Sequence, residues 1–141
     1  MSHSGEPRIR AVLDHTALQS YARSHVHVGE LLGEVADDDN GVVGIPAVAL
    51  TDAHARSSVD PQATALLNYV VKLPGAAVLD LDRATAPIVA RYVPAMLGNL
   101  SRAQTAWAAL TFDVPCFTTE PDAYPHVVAE DRIIAIPTVD A

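Results

Sequence analysis

The sequence contains little of several things on which whole classes of protein depend. Among its 141 residues there is one cysteine and one lysine, and aromatic residues make up 5%. The single cysteine, Cys116, allows neither an internal disulfide nor a sulfur-rich metal site, and it fits a reducing cytoplasm. No apolar run approaches the ~20 residues of a membrane span, and residues 1–7 carry no hydrophobic signal core. We therefore expect a cytoplasmic protein that is neither exported nor held in a membrane.

Positive charge is also scarce. The formal net charge is −8 at pH 7, and the arginines are scattered along the chain. Proteins that bind nucleic acid through a broad surface are normally basic, so this balance argues against that class. The negative net charge still allows a small nucleic-acid site in which bound cations make the local charge positive. The glycines at 41 and 44 lack the lysine and the spacing of a phosphate-binding loop, which weakens a third idea, a hydrolase or transferase acting on small phosphorylated substrates.

What the chain does contain is a regular alternation of strand and helix patterns. Half of the residues are apolar. We predict strands at residues 10–13, 76–81, 114–118 and 133–136, a short extended piece at 42–44, and helices at 16–24, 28–35, 46–56, 61–73, 84–96 and 100–112. This alternation is typical of a parallel α/β sheet. We expect one domain over residues 10–141, preceded by a flexible segment at residues 1–9.

Acidic residues follow the apolar segments at three places. Asp14, Asp52 and the pair Glu120 and Asp122 each come shortly after an apolar run. The carboxyl ends of parallel strands meet at one edge of a sheet and form the crevice in which ligands bind. We therefore expect these acids to share one anionic pocket. Because Mg²⁺ and Mn²⁺ prefer oxygen ligands, the pattern predicts a divalent metal there.

Several stretches resemble the motifs of one family, the PIN domain. Residues 12–18 (VLDHTAL) are similar to the family's opening strand, and residues 45–53 resemble its second acidic helix. Residues 103–109 and 114–121 resemble its late Ala-rich helix and the strand that ends in threonine and an acid. The resemblance covers essentially the whole chain. It implies a PIN-like three-layer α/β/α fold with a central, mostly parallel sheet of four to five strands.

The same resemblance implies an activity and the residues that carry it. VapC-like PIN domains are the toxins of toxin–antitoxin pairs and act as Mg²⁺- or Mn²⁺-dependent endoribonucleases. Asp14 matches the family's first catalytic acid, Asp52 lies where a glutamate is expected, and Glu120 occupies the fourth position. The third position holds no carboxylate, and Asn99 is the candidate there because an amide oxygen can coordinate a metal. The implied metal ligands are Asp14, Asp52, Asn99, Glu120 and Asp122, and the implied substrate contacts are His15, Thr118 and Thr119.

Partners follow from the resemblance as well. It implies RNA as the substrate, an antitoxin whose peptide would cover the acidic crevice, and a homodimer. The apolar helix at residues 60–73, with Tyr69 and Val70, could supply the dimer face. The same periodicity is equally consistent with a use of that helix in the core.

Each candidate residue also has a purely structural interpretation. Asp14 and Asn99 could cap the helices that follow them, and Asp52 could be a solvated helix residue. Glu120 and Asp122 could be ordinary loop acids. The missing third acid and the shortened second acid favour a different function, a catalytically impaired PIN-like domain that acts as a binding or regulatory protein. The sequence leaves both functions open.

Overall fold

A parallel sheet forms the centre of the molecule. The computed structural model describes residues 8–37, 40–124 and 127–138. Its five strands are β1 (Arg8–Leu13), β2 (Gly41–Pro46), β3 (Ala76–Leu79), β4 (Cys116–Thr118) and β5 (Ile133–Ala135). They lie in the order β3-β2-β1-β4-β5, and every neighbouring pair is parallel. The predicted parallel α/β sheet is therefore confirmed, with all five strands present.

Helices cover both faces of this sheet. They are α1 (His15–Ala22), α2 (Val26–Ala36), α3 (Ala47–Arg56), α4 (Pro61–Val70), α5 (Ala86–Ala90) and α6 (Leu100–Phe112). Residues of α1 to α4 share one buried cluster with Leu13 of β1. Residues of α5 and α6 share a second cluster with Val12. Successive side chains of a strand point to opposite faces of the sheet. Val12 and Leu13, which are adjacent in β1, therefore pack into two separate cores, one on each face. The result is the expected three-layer α/β/α arrangement.

The order of the strands places a crevice beside β1. Strands β2 and β3 lie in sequence on one side of β1, and β4 and β5 lie on its other side, so the direction of the strand order reverses at β1. In open α/β sheets, ligands bind at the carboxyl ends of the strands where the order reverses in this way. The backbone N–H of Asp14 donates to the carbonyl of Phe117 at 3.2 Å, which joins the two strand ends. The ends of β1 and β4 therefore form the edge at which a site is expected.

Most predicted elements are present, and β2 shows the largest gain. The sequence suggested only a short extended piece at residues 42–44 and put Pro46 in the following helix. In the structure all six residues of β2 are buried, and Pro46 ends the strand opposite Leu79. A strand buried on both faces has no alternation of apolar and polar residues to reveal it. Strand β1 also begins at Arg8, two residues before the predicted start.

The predicted helix at residues 84–96 is divided. Helix α5 ends at Ala90, and a single 3-10 turn follows at Pro94–Met96. Proline has no N–H to bond the carbonyl four residues earlier, so Pro94 prevents a continuous α-helix. The predicted turn at residues 37–41 falls partly outside the described residues, and so does most of the predicted N-terminal segment.

The proposed dimer face needs one correction. Val70 is fully buried in the core against α1, so it is not available to a second copy. Tyr69 beside it is 56% exposed.

Within the described ranges, no helix is both long enough and apolar enough to cross a bilayer.

Candidate functional site

Asp14 is buried at the end of β1, and both of its carboxylate oxygens are occupied. It is the N-cap of α1: Oδ1 accepts from the backbone N–H of Ala17 at 2.9 Å and from the Thr16 hydroxyl at 2.6 Å. Oδ2 accepts from the hydroxyl of Tyr124 at 2.8 Å. Burial raises the pKa of Tyr124, and the neighbouring Asp14 charge raises it further. The phenol therefore remains a donor to Asp14 at ordinary pH.

A chain of hydroxyl groups continues from Asp14 to the end of β4. The hydroxyls of Thr16 and Thr118 are 3.2 Å apart. Because the Thr16 hydroxyl already donates its hydrogen bond to Asp14, the Thr118 hydroxyl is the donor in this contact. Thr16 also accepts from the Thr119 N–H at 2.9 Å, and Thr118 accepts from the Glu120 N–H at 2.9 Å. Thr118 is fully buried, and its hydroxyl is used within the protein. The predicted substrate contact through Thr118 is therefore replaced by a role in shaping the loop, whereas Thr119 does line the crevice.

Asp52 and His15 meet at the other side of the crevice. Asp52 Oδ1 accepts from Nε of Arg56 at 2.8 Å, one helical turn along α3. Its Oδ2 lies 3.7 Å from Nδ1 of His15, and that nitrogen is 3.2 Å from the Ser101 hydroxyl. Burial lowers the pKa of His15, against the opposing effects of Asp14 and Asp52. His15 is therefore a neutral ring at pH 7, and the charge of Asp52 is balanced by Arg56.

Glu120 and Asn99 both contact Arg102 near the start of α6. Arg102 Nη2 and Glu120 Oε1 form an ion pair. Asn99 Oδ1 accepts from the Arg102 N–H at 2.9 Å, so Asn99 caps α6 with the atom that was expected to bind a metal. Of the four predicted acids, Glu120 lines the crevice, whereas Asp14 and Asp52 contact the lining residues Thr16 and Arg56 from outside the lining. Asp122 lines two other cavities, so the four acids do not share the expected anionic pocket.

The crevice holds a cavity of about 420 Å³ with an unusual lining. Among the described residues, all twelve that line it are polar: Arg23, Arg56, Arg102, His15, His25, Thr16, Thr119, Thr138, Gln19, Ser20, Asn99 and Glu120. Three of them are arginines and one is an acid. We call this cavity the arginine pocket, after Arg23, Arg56 and Arg102. Cations outnumber acids in its lining although the whole chain is acidic, and two of them, Arg56 and Arg102, are balanced by Asp52 and Glu120.

The residues present do not fit the implied divalent metal. Mg²⁺ and Mn²⁺ need carboxylate oxygens that are free to face the ion. Here the oxygens of Asp14 accept from neutral donors, and Asp52 and Glu120 each carry an arginine. In the part of the chain that the structure describes, no group of three or more His, Cys, Asp or Glu side chains is placed to hold a metal. The donor set suits an anion better than a cation.

Sequence reasoning found the acids but missed their partners. The signal for Arg56 was its position four residues after Asp52, the spacing of neighbours on one helix face. Arg102 was visible within the stretch considered for the third acid. Tyr124 gave no local signal, because its contact with Asp14 spans most of the chain. The three arginines are scattered in the sequence because they belong to different parts of the fold: Arg23 follows α1, Arg56 ends α3 and Arg102 lies in α6.

Comparison with known proteins supports the fold alone. No protein-family model matches the sequence, and no curated protein matches it significantly. The structure is similar to the crystal structure of PAE2754 from Pyrobaculum aerophilum, with a TM-score of 0.61 and 16% sequence identity. The match covers 85% of this chain and 86% of that chain. At this identity the likeness shows a shared α/β/α architecture, and the PIN resemblance stays a prediction.

Proposed function

We propose that this protein is a PIN-like domain that binds an anionic ligand in the arginine pocket and has lost metal-dependent hydrolysis. One observation carries the proposal: three of the four acids expected to hold a metal are already engaged by a donor or a cation. Asp14 is held by Tyr124, Asp52 by Arg56, and Glu120 by Arg102. This is the binding or regulatory alternative that the missing third acid favoured.

The chemistry of the pocket supports binding of an anion. A guanidinium presents several N–H donors in a fixed plane that matches the oxygens of phosphate or carboxylate. The N-terminus of α6 also lies at the pocket, since Asn99 and Arg102 both line it. The partial positive charge of a helix N-terminus favours a negative group nearby. Threonine and serine hydroxyls on the pocket wall can supply further hydrogen bonds.

Hydrolysis of a phosphodiester makes different demands. It needs a polarised phosphoryl oxygen and an activated water, which a divalent metal held by free carboxylates would supply. Arginine can stabilise charge, but it cannot lower the pKa of a water as a metal does. The neutral His15 is held between Ser101 and Asp52. This arrangement supports binding without turnover.

A second candidate function is the Mg²⁺- or Mn²⁺-dependent endoribonuclease of toxin type, with RNA as substrate and an antitoxin as partner. The placement of the acids favours it. Asp14 is adjacent to His15 and Thr16, Asp52 lies beside His15, and Glu120 lines the same pocket. For a metal to bind, Arg56 and Arg102 would have to leave their carboxylates.

Titration calorimetry with Mn²⁺ separates the two candidates, with RNA cleavage assayed in parallel. If the proposal is right, the Mn²⁺ affinity of Asp52→Asn and of the control Asp122→Asn should equal that of the wild type. None of the three proteins should cleave RNA. In EDTA, inorganic phosphate should bind the wild type and weaken as salt is added. Mn²⁺ binding that is lost in Asp52→Asn but kept in Asp122→Asn, together with RNA cleavage, would establish the nuclease instead.

Two further expectations belong to this proposal. The first is a cytoplasmic location, which rests on the sequence, whose single cysteine, Cys116, allows no internal disulfide. A homodimer is also expected, with the exposed Tyr69 rather than Val70 on its face. Sedimentation of the wild type and of Tyr69→Ser tests the second expectation.

A further inference from the structure

We infer that the arginine pocket takes a small, hydroxyl-rich phosphate monoester of the sugar phosphate kind, whose phosphate replaces Glu120 on Arg102. This inference rests on the proposed function and adds the chemical class of the ligand. Three features of the pocket carry it: the ion pair at its rim, an unsatisfied hydroxyl in its wall, and a lining without aliphatic side chains and without Phe, Tyr or Trp.

The ion pair of Arg102 and Glu120 is arranged so that it can be exchanged. The side chain of Arg102 is 21% exposed and that of Glu120 is 54% exposed. Glu120 follows β4 in a loop and can turn into solvent, whereas Arg102 is fixed in the first turns of α6. Its Nε is buried and has no hydrogen-bond partner among the described residues. One carboxylate thus leaves donors of Arg102 unused, and a phosphate with three terminal oxygens can satisfy more of them.

Ser20 provides an independent observation. It lines the pocket and is 4% exposed, yet within the described ranges its Oγ has no hydrogen-bond partner. Buried hydroxyl groups are almost always hydrogen-bonded, so such a group beside a cavity points to a ligand that completes it. Thr16 and Ser20 lie one turn apart on α1, and Arg23 at its C-cap follows three residues later, so all three line the pocket. The helix presents hydroxyls and a cation along one side of the cavity.

The lining also restricts what is attached to the phosphate. Single-stranded nucleic acids are bound by aromatic side chains on which their bases stack. Of the described residues that line the pocket, none is Phe, Tyr or Trp, and none is aliphatic. Gln19, Asn99, Thr119 and Thr138 instead offer amides and hydroxyls, which suit the hydroxyls of a sugar. A cavity of about 420 Å³ is within the usual range of small-molecule sites.

The test is titration calorimetry of ribose 5-phosphate in EDTA at low salt. Arg102→Gln should weaken binding by about 10- to 100-fold, the usual effect of losing hydrogen bonds to a charged group. Glu120→Gln should tighten binding several-fold, because it removes the internal competitor and the nearest negative charge. The matched control is Arg132→Gln: Arg132 pairs with Asp113 outside the pocket, so its loss should leave the affinity unchanged.

Ser20→Ala separates a ligand contact from a structural role. The variant removes an unsatisfied buried hydroxyl, so the melting temperature should hold or rise. The affinity for ribose 5-phosphate should nevertheless fall by about 3- to 10-fold, as for one neutral hydrogen bond. An unchanged affinity in this variant would count against the inference. Because Glu120 is exposed, Glu120→Gln keeps the inference testable even if Arg102→Gln does not fold.

Comparison ligands separate two claims: that the pocket binds an anion, and that this anion is a sugar phosphate. Ribose should not bind, and adenosine 5′-monophosphate and a short single-stranded RNA should bind more weakly than ribose 5-phosphate. If inorganic phosphate binds in an Arg102-dependent way and the sugar phosphate binds no tighter, the ligand class is wrong while the anion site stands. If Glu120→Gln weakens binding, the exchange at Arg102 is wrong. If no anion binds and Mn²⁺ does, the proposed function itself fails.

Discussion

The hydroxyl of Tyr124 donates a hydrogen bond to Oδ2 of Asp14 over 2.8 Å, and neither side chain is exposed to solvent. The other carboxylate oxygen holds Thr16 and the first turn of α1. One aspartate therefore joins β1, α1 and the segment after β4. The residue that the sequence marked as the first catalytic acid acts here as a structural connection.

Tyr124→Phe should destabilise the protein by about 1–3 kcal/mol, because the buried carboxylate of Asp14 loses a donor that water cannot replace. Urea denaturation monitored by circular dichroism measures the change. Tyr69→Phe is the control: Tyr69 is 56% exposed, and its variant should stay within about 0.5 kcal/mol of the wild type. Equal stabilities of the two variants would show that the bond to Asp14 contributes little.

His15 should make stability fall in mildly acidic solution. Burial lowers its pKa below the value of ~6.5 that a histidine has in the unfolded chain. Between these two pKa values the unfolded state binds more protons, so the stabilisation is complete above pH ~6.5 and is lost as the pH falls through the folded pKa. His15→Gln should flatten this part of the stability curve.

Urea midpoints at several pH values between about 7.5 and 5 test that expectation, since they span the titration of an ordinary histidine. His54→Gln, on α3, is the matched control. A slope that changes as much in His54→Gln as in His15→Gln would mean that the buried ring is not responsible.

Gln104 should be important for stability although it lies outside the pocket. It is fully buried on α6, accepts from the Val48 N–H at 2.8 Å and donates to the Leu79 carbonyl at 3.0 Å. Gln104→Leu would leave both backbone groups without partners, at a cost of about 1–3 kcal/mol. Chemical denaturation measures this, with the exposed Gln62→Leu on α4 as the comparison. A loss no larger than that of Gln62→Leu would contradict the bridging role.

The parts of the fold that local chemistry determines were predictable. Asp60 and Pro61 begin α4 as the capping rule requires, and α6 occupies the predicted residues 100–112. Asp14 was correctly placed at the end of a buried strand. In each case the signal lies within a few residues of the structure that it causes.

The character of the site was not predictable in the same way. The sequence shows a chain of net charge −8, and counting acids at strand ends led to an anionic pocket. The pocket is instead rich in arginine, because α3 and α6 place Arg56 and Arg102 against the acids and Arg23 follows α1 directly. Such pairings depend on where whole helices lie, and no short window of sequence contains them.

The strand order has a consequence for how the molecule is made. On one side β1 pairs with β2, which follows early in the chain, and on the other with β4, where Val12 lies opposite Cys116. During synthesis one edge of the central strand must therefore wait until most of the polypeptide has left the ribosome. The crevice between β1 and β4 can form only once β4 has been made, so any binding there needs residues from both the early and the late part of the chain.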